Sequence, residues 1–437
     1  MKRITALFLA CMLLLSVTAF ASGEASGEAS GDASGGISTT EMPESTESRI
    51  TACLYLDGIT GGQDASGCTY TASAMDQSCV YAKNGAVYTL TGAVLDKPDG
   101  ILSTASSFTV PTGEVLWSTT EAGSTGINSV ALAWGDGTVL TLKDCGIYSY
   151  HTDADGNVIG DDERLIGANA VMATYSGKIV MENVEIIAAG EGGHGIDATG
   201  LGVVEISDSS IITYGKKASG LTTDQPGGTI YARNVDVLTH KSGSAPVYCD
   251  GNSFVSIEGG TLESYVEPAA VVCTDGVLEL TDVTLIGHED AALNAHFPSV
   301  PSTITCTGCS FTSEKASAVT SYTATNMVFD RCAFAPAEGC YIVASIPGTN
   351  SAGGISADDM NVTMKNCELT GGAWADEENG AALELTLENT TWTVTVESVL
   401  TSFTVDEASS VSGVMLVGGV ETSILPGTYA NVTLLPA

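Results

Sequence analysis

Short apolar segments alternating with polar residues recur along most of the chain, and no stretch carries the 3.6-residue apolar period of a long amphipathic helix. One pattern repeats: two apolar residues flanking a polar one, then an anchor residue two places on, then a further apolar residue three places beyond. It reads Leu140-Leu142-Asp144-Ile147, Ile179-Met181-Asn183-Ile186, Val204-Ile206-Asp208-Ile211 and Ile230-Ala232-Asn234-Val237, and continues at anchors Gly259, Asp282, Gly308, Arg331, Asn366 and Asn389, with an outlying copy at Gly92. From Asn183 to Asn389 the anchor steps by 25, 26, 25, 23, 26, 23, 35 and 23 residues. A second apolar element follows each anchor, at Ile196, Leu221, Val247, Val271, Leu293, Val319 and Ile342. Each repeat therefore holds at least three short strands joined by turns. That predicts an all-β solenoid, a parallel β-helix in which every strand pairs with its counterpart one coil away. The usual sense of parallel crossovers makes it right-handed. About 12 coils at ~4.8 Å each give a rod of roughly 60 Å.

The anchor has a physical reason. Apolar residues on both sides of it break strict alternation, so the chain must bend there, and a sharp bend favours a left-handed residue. Gly, Asn and Asp tolerate that conformation best, and Arg331 is the exception among the eleven anchors. At these residues the chain resembles the pectate-lyase-like right-handed β-helix superfamily, whose asparagine ladder occupies such a bend. It is more similar still to secreted, adhesin-like β-helix proteins of gut bacteria, through Gly195-Ile196-Asp197-Ala198, Gly220-Leu221-Thr222-Thr223-Asp224 and Gly243-Ser244-Ala245-Pro246-Val247-Tyr248. The resemblance covers roughly residues 85–400. It implies a surface or matrix role with no reaction attached.

Outside the repeats, Lys2 and Arg3, the apolar run Ala6–Leu15 and Ala19-Phe20-Ala21 predict a signal peptide over 1–21. The run is too short to span a membrane. Residues 22–48, opening SGEASGEASGDASGG, predict a disordered Gly/Ser/Ala/Glu tether. The remaining division is an irregular N-terminal cap with the first coils over 49–135, regular helix over 136–400, and a closing cap over 401–437 in which Phe403, Val405, Val411 and Leu416 seal the end. The two anchors 52 residues apart, Gly92 and Asp144, suggest two coils between them, one without a legible anchor. The expected address is secreted or cell-surface associated.

Charge narrows the partners. Fifteen Lys and Arg against 52 Asp and Glu give a net charge of −37, and loss of the leader's two cations makes it −39. Such a chain is a poor ligand for nucleic acid and for anionic membranes. Polyuronates would meet the same repulsion unless calcium bridged them.

Four features carry candidate chemistry. The run Asp153, Asp155, Asn157, Asp161, Asp162 and Glu163 groups hard oxygen ligands in an insertion between Asp144 and Asn183, as a Ca²⁺ loop requires. It departs from the EF-hand at Val158 and Arg164, and a solvated acidic loop is the plain alternative. Gly193-His194-Gly195 resembles the GHG motif of polygalacturonases. A carbohydrate-active enzyme would then use Asp161, Asp162 and His194, as paired acid and base, although no Arg-x-Lys partner follows. Six residues past successive anchors stand Tyr150, Ala189, Tyr214, His240, Tyr265, His288 and Glu314, which the alternation points outward. Beside them run Tyr148, Ile187, Ile212, Leu238, Glu263 and Ile286. Tyr150, Tyr214, His240, Tyr265 and His288 are thus a candidate contact for a glycan or surface protein. The alternatives are a ladder covered by the protein's own turns and a self-association face. Finally, Cys309, Cys332 and Cys367 share the position after the anchor, and Cys249 and Cys273 share another column. They read as buried apolar ladders, while Cys53, Cys68 and Cys79 are the likelier disulfide formers.

The resulting expectation is a secreted, non-catalytic, adhesin-like protein that binds through the aromatic stripe, with a carbohydrate-active enzyme as the alternative.

Overall fold

The computed structural model describes residues 44–63, 67–109, 115–224, 226–296, 300–349, 355–356 and 359–437. The expected signal peptide and the tether up to residue 43 lie outside them. Each coil supplies a strand before the bend, a strand after it and a short return strand. In one coil these are Lys178–Glu182, Glu185–Ala188 and Ile196–Ala198. Each pairs in parallel with the next coil: Ile179 lies beside Val204, Ile186 beside Ile211 and Ile196 beside Leu221. The chain is a parallel β-solenoid of about 13 coils. Alternate residues of the first two strands point inward, so Val204, Ile206 and Ile211 join one apolar column that runs from Leu56 to Leu434.

All eleven anchors are left-handed, with φ from +49° at Asn389 to +69° at Gly259, Arg331 included at +54°. Their side chains form a ladder on the outside of the bend. Asn183 Nδ2 donates to Asp144 Oδ1 at 2.6 Å, Asn234 Nδ2 to Asp208 Oδ1 at 2.9 Å, and Asn389 Nδ2 to Asn366 Oδ1 at 2.7 Å. Neighbouring anchors never stack two carboxylates, which at one strand spacing would repel.

Several sequence expectations are corrected by the register. The 52-residue step holds a single coil, because Val87–Thr91 pairs directly with Val139–Lys143 and Val94–Asp96 with Gly146–Ser149. The surplus is an excursion: a hairpin of Ser106–Thr109 with Val115–Ser118, then a helix, Thr120–Thr125. It lies on the return face, where Leu102, Ala122 and Ile127 pack against Tyr81, Leu132 and Met172. Regular coiling instead starts earlier, with Thr51–Asp57 against Gln77–Lys83. The end of the supposed tether folds as well: Glu44–Glu47 is a helical turn. Thr46 there donates to Glu121 at 2.7 Å, and Lys83 pairs with Glu47 at 2.5 Å. These polar side chains find partners on the excursion and the first coils, which composition alone does not show.

The return strands shift by one residue in two places: Val247 is followed by Ala270 rather than Val271, and Val319 by Val343 rather than Ile342. In a strand, one residue changes the face. Cys249 therefore stacks on Val272 in the core, while Cys273 joins Ala245 and Val271 on the outside. At the C-terminus Ser398–Val405 pairs antiparallel with Gly427–Leu435, and Phe403 and Val405 are buried beneath it. Met415 is buried in that cap and Leu416 only half-buried. No helix among the described residues is long and apolar enough to cross a membrane.

Candidate functional site: the aromatic column

The residue after each post-bend strand forms a continuous column, because the backbone ladder runs through it. Ala189 N donates to Ser149 O, Tyr214 N to Ala188 O, His240 N to Thr213 O, Tyr265 N to Thr239 O and His288 N to Ser264 O. In-register parallel stacking repeats one outward position at every coil, so rings there meet face to face. Tyr214 and His240 stack with centroids 4.4 Å apart at 7°, His240 and Tyr265 at 4.9 Å and 15°, and Tyr265 and His288 at 4.8 Å and 17°. The stack is open along its edge: Tyr265 is 43% exposed, and Tyr214, His240 and His288 are half-buried. Ile187, Ile212, Leu238 and Ile286 form a half-buried aliphatic row beside it. An open groove on the outside of the bend, lined by Asp144, Tyr148, Asn183, Glu185, Asp208 and Asp236, borders that row.

Tyr150 does not join the stack. Ala189 fills the intervening coil and is fully buried, its carbonyl accepting from Asp162 N. Tyr150 instead meets Tyr148 edge-on at 5.8 Å. The ring faces of the other four are turned on one another, so a sugar ring finds an edge rather than a platform along the column.

Charge differs along the stack. His288 is held between two carboxylates, Nε2 2.8 Å from Glu263 and Nδ1 3.1 Å from Glu314, and the Glu263 and Glu314 hydrogen bonds raise its pKa. Burial, then the Lys241 charge, lowers that of His240. The Nε2 of His240 is buried without a hydrogen-bond partner.

The six residues expected to hold calcium are not brought together. Asp153 Oδ1 accepts from the backbone of Asp155 and Asn157, both at 2.9 Å, which closes a small hairpin bridged at Thr152 and Val158. Asp161 Oδ1 accepts from Lys216 N at 2.6 Å. Asp162 is buried and satisfied by Arg164 and by His151 Nδ1 at 2.7 Å. Asp155 and Glu163 face solvent. Among the described residues no three His, Cys, Asp or Glu side chains are placed to share a metal ion. Local backbone and cationic partners have taken oxygens of Asp153, Asp161 and Asp162.

The residues of the hydrolase reading take other polar partners. His194 Nδ1 accepts from Ser219 N at 3.0 Å and contacts Thr222 Oγ1 at 3.1 Å, and burial lowers its pKa to about 4. Asp161 and Asp162 have the other partners named above. Gly195 is set by packing: a Cβ there would meet Ile211 Cγ2 at 2.5 Å and Gly220 O at 2.8 Å, and Gly220 in the next coil is confined in the same way.

Cys306, Cys309 and Cys332 sit in the core, where Cys332 Sγ donates to Cys306 O at 3.4 Å and Cys309 Sγ to Thr307 O at 3.5 Å. Cys53 and Cys79, two of the three expected disulfide formers, are unbridged thiols; their sulfurs donate to Thr71 O and Asp96 O.

Sequence reasoning missed one group. On the return face, Asp197, Asp224 and Asp250 come from three successive coils, at or just past the return strands. Asp197 is fully buried, and burial together with the Asp224 charge pushes its pKa well above the usual carboxylate range. Burial, then Asp224, raises Asp250 to about 6. Their spacing of about one coil was legible in the sequence, but the excursion helix that covers Asp197 was not. Comparison with protein-family models, curated proteins and solved structures gives no match to this chain.

Proposed function

We propose that this protein is an exported, non-catalytic, adhesin-like rod of the kind its gut-bacterial resemblance implies, and that it holds a cell-surface partner along the aromatic column. The observation that carries the reading is the continuous, edge-exposed stack Tyr214–His240–Tyr265–His288 flanked by a half-buried aliphatic row. A strip of contiguous apolar and aromatic surface on an otherwise acidic chain is what a contact surface requires. Because the ring faces are mutually occupied, edges and aliphatic side chains make the contact. That arrangement suits a protein surface better than a sugar stacked on a ring.

The test compares wild type with Tyr214→Ala/Tyr265→Ala and Leu238→Asp for binding to intact bacterial and epithelial cells and to a glycan array, after circular dichroism shows that each variant is folded. Wild type should bind cells and both variants should lose at least ~10-fold in affinity, the scale of a hot-spot residue. Equal binding by wild type and variants removes the column as the contact face. Binding to no cell and no glycan leaves it as an internal brace.

A further inference from the structure

Asp197 is the middle residue of the return strand Ile196–Ala198, with its side chain outward between Met172 and Thr222 of the adjoining coils. Outward residues on a solenoid normally reach water. This one has no exposed surface, and neither of its carboxylate oxygens has a hydrogen-bond partner. The helix Thr120–Thr125 of the excursion covers it. A Cβ placed on Gly123 of that helix would stand 3.8 Å from Asp197 Oδ2 and 3.9 Å from Asp224 Oδ2. Two carboxylates from successive coils therefore face one space beneath one helix.

A buried, unpaired carboxylate beside a second one is unfavourable as an anion. Protonation relieves the charge but leaves the new O–H without an acceptor. A hard cation satisfies both oxygens and the neighbouring carboxylate together. We infer that Asp197 and Asp224 form a site for a hard divalent cation, calcium or magnesium in character, which clasps the inserted helix onto the return face. Asp224 is exposed, so it lies on the solvent side of the site. No third acidic, His or Cys side chain completes the group among the described residues. The rest of the shell is then water and main-chain oxygen, which suits calcium or magnesium and not zinc. The excursion is also held by the apolar cluster of Leu102, Ala122 and Ile127, by Thr46 on Glu121 at 2.7 Å and by Trp117 N on Glu191 Oε1 at 2.7 Å. At the helix segment over Asp197 the polar contacts are longer, Asn169 Nδ2 to Ala122 O at 3.5 Å and Thr174 Oγ1 to Ser124 O at 3.4 Å, and the clasp acts there.

The experiment uses the full secreted chain, stripped with a chelator and titrated with CaCl₂, MgCl₂ or MnCl₂. It follows the melting temperature and cleavage within residues 100–128 by a glutamate-specific protease. At least one cation should raise the melting temperature and slow cleavage about tenfold or more. Asp197→Asn and Asp224→Asn should each abolish both responses, and Asp197→Asn should be at least as stable as wild type without metal. Two results overturn the inference: a wild type that responds to none of the three cations, or an Asp197→Asn variant that responds as wild type does. The second would place the cation elsewhere, with the Asp153–Glu163 loop the next segment to mutate.

Discussion

Two histidines in the same column are driven in opposite directions by their neighbours. His288 gains two carboxylate partners, so its folded pKa lies above the unfolded value of about 6.5. Its contribution to stability is fully present below that value and is lost as pH rises through the folded pKa. His240 is buried beside Lys241, so its folded pKa is depressed. Its neutral form is stable above about 6.5, and stability is lost as pH falls from there through the folded pKa. Imidazole C2–H titration by NMR should place His288 above and His240 below 6.5. Two curves that coincide at the ordinary value would show that neither ring is held as described. The column itself was legible in the sequence, since outward positions repeat with the anchor. Its internal charge order was not, because Glu263 and Glu314 reach His288 from neighbouring coils 25 and 26 residues away.

The bend and the end cap are the elements on which the solenoid depends. Left-handed anchors follow from local sterics, so the sequence located all eleven, and even Arg331 adopts the bend at a cost of roughly 1–2 kcal/mol. Strand register was less legible. Val271 looked like a core residue because it is apolar, yet the ladder selects Ala270 and leaves Val271 in a separate cluster; at the later coil the ladder pairs Val319 with Val343, although Ile342 is buried in the core as well. The three-residue return strands are too short for alternation to fix which residue points inward. At the C-terminus, Gly427–Leu435 covers the last coil strand through antiparallel pairing. Deleting residues 427–437 should expose that edge and give oligomers or aggregates, seen as early elution with higher scattering mass. A deleted chain that stays monomeric with an unchanged melting temperature would show that the cap is dispensable.

The whole chain carries a net charge of −37, while one apolar column fills the interior of the described coils. Like charges on stacked coils repel, and salt screens them with a Debye length that falls from ~30 Å at 0.01 M to ~3 Å at 1 M. The melting temperature should therefore rise by several degrees between about 10 mM and 0.5 M NaCl. A flat or falling dependence would mean that the ion pairs, such as Lys178–Glu205 at 2.6 Å and Lys143–Glu182 at 2.9 Å, outweigh the repulsion.

The sequence by itself determined the solenoid, its bends and its outward aromatic column. Those follow from the period of apolar residues and from the few residue types that tolerate a left-handed turn, and both act over short stretches of chain. Only the tertiary structure decided that the hairpin Ser106–Thr109 with Val115–Ser118 and the helix Thr120–Thr125 lie over the return face, and that Asp153, Asp161 and Asp162 of the acidic loop take protein partners. It also decided that Tyr150 stands apart from the stack and that Asp197 lies buried beneath a helix. Each of these depends on which distant surface comes to cover a residue, and an outward position read from alternation carries no record of what will lie on top of it.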